Sequence, residues 1–248
     1  MSNTYKHAQA FYQAIASSAD SDKAFDALHL YISAIGFPKI YYAVVRNPVD
    51  AATASAENRI EFVRDDDGWW EEYEAARYYR YDPYTDLASL RIGFPTIIKA
   101  PNKMSKGQQQ FVAHARQRGM MNGFSYLFPV EFNRPAGISI RGGQALPTQA
   151  QMIEICSAFS TWNSFYLRRL AAATREELSL SDLEIRRLDA LMFGYSARNL
   201  ASLEDTTESA INHSFLRIRK KLGARTNVEM IRKAIQLGIV ELSKSGHN

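Results

Sequence analysis

Trp69, Tyr73 and Asp82, with Pro83 behind the carboxylate, are the residues of this sequence whose types and spacing could do chemistry together. An indole offers one N–H donor, a phenol both donates and accepts, and a carboxylate only accepts. Ser139, in the strand-like run AGISIR (136–141), adds a hydroxyl. A neutral amphiphile is held by an apolar cavity with a few convergent donors and an acceptor, and these groups supply them. Each is costly to bury unpaired. Plainer readings stand beside this one. Trp69 and Tyr73 fall at i and i+4 and suit a simple core, and Asp82–Pro83 is an ordinary N-cap with proline at the first helical position.

A second constellation lies near the C-terminus. Arg217, Arg219, Lys220, Lys221 and Arg225 follow one another with no carboxylate among them. Ile211, Phe215, Ile218 and Leu222 recur at i, i+4, i+7 and i+11, a narrow apolar stripe along one helix face. At about 100° per residue the opposite face carries Ser209, His213, Leu216, Arg217 and Lys220, flanked by Asn212 and Arg219. Amide, imidazole and guanidinium groups read base edges, while the lysines and Thr206 or Thr207 suit phosphates. The candidate DNA-contacting set is therefore Thr207, Ser209, Asn212, His213, Arg217 and Lys220, with Arg198 on the segment before. A solvated basic face is the plainer reading. Glu204, Asp205, Glu208 and the outward Leu216 weigh toward it.

Composition narrows the class. The chain has 248 residues, 46% of them hydrophobic and 23% charged, which suits two globular domains. Its net charge of +4 is modest, and from Arg175 onward basic residues exceed acidic ones by only two. Cys156 is the single cysteine, so no intramolecular disulfide or thiolate metal site is available. The five histidines are scattered without metal spacing. Glycine-rich phosphate loops, HExxH and a nucleophile elbow are absent, so no catalytic residue, metal or cofactor is expected and an enzyme is the least supported class. The N-terminal stretch has neither a secretory apolar run nor a cleavage site, and no segment reads as a membrane span. The expected setting is a reducing cytoplasm.

The elements that must position these residues fall into two textures. Residues 40–46, 59–64, 95–99, 124–131 and 136–141 read as five strands. Helices are expected over 69–80, 83–91 and 105–119, over the Phe25–Ile35 periodicity ending at Gly36, and from Thr148 through Leu170. Together they describe an α/β/α sandwich spanning 1–170. A polar stretch over 171–179 reads as a linker. From 180 to 248 the pattern is purely helical, with N-caps at Ser181, Ser196, Thr206 or Thr207, and Thr226. Four short helices with tight turns are the layout of a helix-turn-helix module, and the fold class as a whole is α+β.

Residues 180–227 resemble the C-terminal DNA-binding domain of LuxR-type transcription factors. Glu184, Leu188 and Gly194, then Lys221, Leu222 and Gly223, carry the resemblance without a gap. Leu183, Ile185 and the EDTTESA run depart from the pattern. The N-terminal region resembles the acyl-homoserine-lactone-binding domain of the quorum-sensing branch. The pattern Trp-x3-Tyr-x8-Asp-Pro is met by Trp69, Tyr73, Asp82 and Pro83, a glycine before a central strand by Gly123, and a strand hydroxyl by Ser139. This joint spacing favours a site over the plainer readings. The resemblance implies that Asp82 accepts the ligand amide N–H, Trp69 donates to the lactone carbonyl, and Tyr73 and Ser139 hold the acyl carbonyl. Two positions depart: Ile97 stands where a second Trp is common, and Asp65 where a Tyr often precedes the first Trp by four residues. Trp70, Tyr41 and Tyr42 are further possible lining residues.

The expectation is a homodimeric, signal-responsive transcriptional regulator. It would bind an N-acyl or aryl homoserine lactone through Trp69, Trp70, Tyr73, Asp82, Ile97, Gly123 and Ser139, and a palindromic double-stranded operator through its C-terminal helices. Its alternatives are a ligand-independent regulator of the same type, and a partner that heterodimerises with another regulator and binds DNA poorly.

Overall fold

Alternation along β1 (Lys39–Val44) sets the frame, since successive side chains point to opposite faces of a sheet. Tyr42 and Ile40 face one way and Tyr41 the other. In the computed structural model, which describes residues 3–17, 20–44, 60–65, 67–83, 92–97, 102–128 and 136–240, β1 pairs antiparallel with β2 (Ile60–Arg64) and β4 (Ala136–Arg141), and β4 with β3 (Phe124–Leu127). The strand order is β2-β1-β4-β3.

One face packs on helices α2 (Ser21–Ile35) and α5 (Gln149–Glu177). Trp162 of α5 meets Phe25 of α2 at 5.0 Å and Phe62 of β2 at 5.1 Å between ring centroids. Such aromatic pairs add about 0.5–1.5 kcal/mol each beyond the area they bury. Tyr42 Oη donates to Asn163 Oδ1 at 2.8 Å, and Tyr31 Oη to Glu154 at 2.7 Å, so both helices are also tied by hydrogen bonds. α2 starts at Asp20, whose carboxylate accepts the Asp22 and Lys23 N–H groups, and stops at Gly36 with φ 113°. α1 (Asn3–Ser17) is an addition to the expected elements. Phe11 is its one buried side chain among the described residues, with Ala8, Ala14 and Ile15 half-buried on the same face. The other face is covered by α3 (Trp69–Ala75) and α4 (Lys106–Gln117), where Ser105 and Gln108 form the expected capping box. Helices thus flank the sheet on both sides.

Three expectations need correction. The sheet has four strands among the described residues, not five. Of the 95–99 segment, the described residues 95–97 give one isolated bridge, Thr96 to Ser125, through two backbone bonds of 2.8 and 2.9 Å. Ile92 bridges Leu127 in the parallel sense and Thr96 bridges Ser125 in the antiparallel sense. A chain that changes sense within five residues cannot sustain a ladder, and Pro95 has no N–H to give one. The helix expected over 69–80 breaks at Ala75, and Arg77 (φ 53°) leads into a 3-10 turn at Tyr78–Arg80. The stretch expected as a linker over 171–179 is helical as far as Glu177, its alanines and glutamates being good helix formers. The helix expected over 83–91 lies outside the described residues beyond Pro83.

The chain divides into two compact units, with the boundary inside α5 between Phe165 and Tyr166. The second unit contains α6 (Asp182–Met192), α7 (Ala197–Leu203), α8 (Glu208–Lys221) and α9 (Asn227–Gln236). Each N-cap is where local chemistry puts it: Ser181 with Glu184, Ser196 with Asn199, Thr207, and Thr226. Leu188, Leu200, Ile211, Phe215, Ile218, Met230 and Ala234 make its core.

Candidate functional site

Trp69 and Tyr73 stand one helical turn apart on the buried side of α3, 3% and 8% exposed. A straight continuation of α3 would set Tyr78 about 180° around from Trp69, nine residues on at about 100° each. The left-handed Arg77 turns it back instead. Tyr78 then stacks on Trp69 at 5.9 Å and 18°, and both rings contact Phe111 of α4. His114, also on α4, lies edge-on to Trp69, bonds Tyr78 Oη through Nδ1 at 2.9 Å and reaches Glu72 through Nε2 at 2.9 Å. Tyr41, Val112, Ala115 and Met120 complete this cluster.

Tyr73 Oη donates to Asp82 Oδ2 at 3.0 Å, so the two residues read as one site are in contact. Asp82 is held by its own backbone, whose N–H donates to Tyr78 O at 2.8 Å. Burial, then the Asp82 charge, pushes the Tyr73 phenol well above its usual range, so it stays a donor at neutral pH. The Trp69 indole N–H has no partner among the described residues.

The sheet supplies the opposite wall by register. Val63 pairs with Tyr41, Tyr41 with Ser139, Ser139 with Ser125, and Ser125 with Thr96, so these side chains form one row on the α3–α4 face. Ser139 is half-buried, and its hydroxyl also lacks a partner among the described residues. Ser125 is buried and accepts from Arg141 Nη2 at 3.3 Å. At the end of β2, Asp65 Oδ2 accepts from Tyr41 Oη at 3.0 Å and from the Trp70 N–H at 2.8 Å. The Trp70 ring lies between Tyr41 (6.1 Å) and Tyr73 (5.3 Å, stacked).

The sequence-based set thus divides. Trp69, Trp70, Tyr73, Asp82, Ser139 and Tyr41 share one face. Tyr42 points to the other, where Asn163 holds it. Ile97, half-buried, lies just beyond the Thr96 bridge and belongs to no described strand. The identity of Gly123 has a packing cause: a Cβ there would stand 1.8 Å from the Ile140 carbonyl oxygen. Thr96, Ser125, Arg141, Phe111 and His114 were missed. The even spacing of Ser139 and Arg141 on one strand is the signal that could have found Arg141; the others depend on pairing across the chain.

In the second unit, α8 buries Ile211, Phe215 and Ile218, with Leu222 at its C-cap, as the stripe requires, and also Ser214. Thr207, Ser209, Asn212, His213, Arg217 and Lys220 are exposed, as is Arg198 on α7. The basic run is split by use. Arg219 donates to Asn227 Oδ1 at 3.2 Å, and Lys221 to Glu184 at 2.6 Å and to Ser179 O at 2.7 Å. Glu204, one of the acids expected to crowd the helix start, pairs through both oxygens with the buried Arg187. Leu216 is 54% exposed amid the polar face.

Residues 20–170 match the autoinducer binding domain family, and the chain belongs to that family. Its members are regulators and not enzymes. No curated protein sequence matches the chain. Among solved structures, the crystal structure of Escherichia coli SdiA is similar at a TM-score of 0.57 and 16% identity, over 96% of this chain and 99% of that one. SdiA in complex with octanoyl-rac-glycerol is similar at 0.56 and 14%, over 94% of each chain. CepR2 from Burkholderia cenocepacia, described as an N-acylhomoserine lactone dependent LuxR family transcription factor, gives 0.48 and 13%, over 67% of this chain and 95% of that one. The SdiA likenesses show a shared fold. Among the described residues no helix is long and apolar enough to cross a membrane.

Proposed function

We propose that the chain is a cytoplasmic, signal-responsive transcriptional regulator. Its first unit binds an N-acyl or aryl homoserine lactone, and its C-terminal helices bind a palindromic operator as a homodimer. The observation that carries the reading is the Tyr73–Asp82 hydrogen bond beside Trp69, with the Trp69 indole N–H and the Ser139 hydroxyl left open among the described residues. A neutral lactone amide has one N–H for the Asp82 carboxylate and two carbonyls for an indole and a hydroxyl, so donors and acceptors match one to one. The acyl chain would lie along the Trp69, Phe111 and Met120 surface. Octanoyl-glycerol in SdiA, an acyl chain on a small polar head, has the same polarity division. Binding to the folded state stabilises it by an amount that grows with the logarithm of ligand concentration over Kd, which couples signal to the population able to bind DNA.

In the second unit, α8 supports DNA reading by presenting Asn212, His213 and Arg217 on a solvent face and by keeping its apolar stripe inside. The half-exposed α9 residues Ile231 and Ile235, with the exposed Val228, suit a helix pair between two copies. Half-sites would then stand about one helical turn apart. Leu216 favours a second reading, docking onto another regulator instead of DNA. The test is a thermal-shift titration with homoserine lactones, followed by selection of operator fragments from random duplexes with and without the stabilising lactone. Absence of any lactone-dependent shift would remove the signal assignment, and absence of selected DNA with a dimer present would favour the docking reading.

A further inference from the structure

Tyr78 reaches Trp69 through a strained turn. Arg77, a non-glycine residue at φ 53°, reverses the chain after α3 and lays the Tyr78 ring on the Trp69 indole at 5.9 Å and 18°. Left-handed residues of this kind persist only where the surroundings over-determine them. One such constraint is the packing of Tyr78 against Phe111. The other is His114, whose Nδ1 bonds Tyr78 Oη at 2.9 Å and whose Nε2 lies 2.9 Å from Glu72 Oε1. Glu72 is held in turn by Arg118, whose Nε stands 3.3 Å from its second oxygen, and Arg118 Nη2 donates to the Asp67 carbonyl at 2.6 Å.

One member sets the direction of these bonds. A carboxylate only accepts, so His114 Nε2 carries its proton toward Glu72. In the neutral ring this leaves Nδ1 as an acceptor, and the Tyr78 hydroxyl donates to it. The chain from Glu72 through His114 therefore ends on an anchored phenol. Core filling alone does not require it. The His114 side chain is 32% exposed, so water satisfies its nitrogens without Glu72 or Tyr78, and a hydrocarbon side chain fills the space beside Trp69 and Phe111 as well.

An anchored phenol adds aim. A stacked ring slides or spins in its own plane at little cost, and the bond at Oη stops it. Trp69 has Tyr78 on its face, His114 edge-on at 5.6 Å and 67°, and Phe111 tilted at 6.0 Å. Three neighbours of different inclination hold the indole at one setting of a torsion that is otherwise broad. Its N–H, open among the described residues, then keeps one direction. A hydrogen bond weakens steeply as its angle closes, and a donor fixed before binding costs less to order when the ligand arrives.

We infer that Glu72 and His114 are positioning residues for the signal: through Tyr78 they aim the Trp69 indole N–H, so the contact they govern is the one to the lactone carbonyl. The inference rests on the first unit being the lactone site. Two matched pairs isolate that contact: decanoyl and cinnamoyl homoserine lactone, each against the same amide on a tetrahydrofuran ring, which lacks only the lactone carbonyl. The measurement is the concentration giving half the maximal thermal shift of the full chain. The proteins are wild type, Tyr78→Phe, His114→Gln, His114→Asn and the combined Tyr78→Phe, His114→Gln chain. Asn carries its polar atoms where the imidazole has Nδ1, and Gln where it has Nε2, so Asn keeps the bond to Tyr78 and Gln the bond to Glu72.

In wild type, the lactone of at least one pair binds about fivefold more tightly than its ring-ether partner, the worth of one neutral hydrogen bond. Tyr78→Phe and His114→Gln each reduce that preference to about twofold or less and leave the affinity for the ring ether unchanged. The combined chain loses no more than either single variant, because both remove the same bond. His114→Asn retains the preference. A residue that merely supported the fold would weaken both members of a pair alike, so equal weakening in Tyr78→Phe and His114→Gln would overturn the inference. So would a lactone preference that survives both variants, or its absence from wild type; either result leaves the lactone site standing. If none of the four compounds shifts the wild-type transition, the lactone site itself falls, and this inference with it.

Discussion

Replacing Asp82 with Asn separates a ligand acceptor from a mere helix cap. In the structure Asp82 Oδ2 accepts the Tyr73 hydroxyl at 3.0 Å, and the Asp82 backbone N–H is bonded to Tyr78 O. Asn has nearly the same size, and its amide oxygen can still accept from Tyr73. What it loses in the ligand-free protein is the charge assistance of that bond, a difference of about 1 kcal/mol between charged and neutral hydrogen bonds. For a chain of this length that lowers Tm by about 2–4 °C. The ligand term is larger. The carboxylate accepts a lactone amide N–H as a charge-assisted bond, whereas Asn can turn its NH2 toward that N–H. Losing a charge-assisted bond of about 1.5–3 kcal/mol raises the half-maximal lactone concentration by about tenfold to a hundredfold. Tyr73→Phe loses less, because its hydroxyl acts by holding Asp82 and the ring remains in the Trp69 and Phe111 cluster. The assay is the lactone-dependent Tm shift of the three proteins, with ligand-free Tm as the control. An Asp82→Asn protein with a wild-type response and only the small ligand-free loss would refute the assignment of Asp82 as a ligand acceptor.

Three further outcomes follow from the second unit. Arg217→Ala and His213→Ala each weaken operator binding by about 1–3 kcal/mol without changing Tm, because both side chains are exposed opposite the buried stripe; unchanged electrophoretic shifts would remove α8 as the reading helix. Glu204→Ala leaves Arg187, 8% exposed, without its bidentate partner and costs about 3–5 kcal/mol in urea unfolding of this unit, so a loss below about 1 kcal/mol would contradict the buried-pair geometry. For Glu184, burial opposes ionisation, but Lys221 and the Ser181 N–H outweigh it and hold the carboxyl below its ordinary value. A lowered folded-state pKa gives stability that is complete above the unfolded value and lost as pH falls through the folded one. Unfolding of the second unit therefore steepens with acid below the ordinary carboxylate range, and Glu184→Gln, already destabilised at neutral pH, flattens that limb; parallel pH profiles for the two proteins would disprove the link.

Interactions within a turn or two of helix are legible in the amino-acid order. The Ser105–Gln108 and Ser181–Glu184 capping boxes, the Thr226 cap and the Gly36 stop are hydrogen bonds between residues three to five apart, so the chain spells them out locally. The α8 stripe is legible for the same reason, since 3.6-residue periodicity alone decides which face is buried. Trp69, Tyr73 and Asp82 were found by spacing, and their contact lies within nine residues of chain. Other features involve partners that no spacing announces and emerge with the folded core. Tyr41 and Tyr42 are identical neighbours in sequence, and the sheet sends one to Asp65 and the other to Asn163, 121 residues away. The helix expected through 80 breaks at Ala75 because turning Tyr78 back buries it against Trp69 and Phe111. The described part of the expected fifth strand gives the Thr96 bridge alone, because the pairing sense changes along Leu127 and Ser125. Local hydrogen bonds and periodicity are properties of a segment. Strand register and ring packing are properties of the assembled core, where buried area gained at one residue outweighs the propensity of the next.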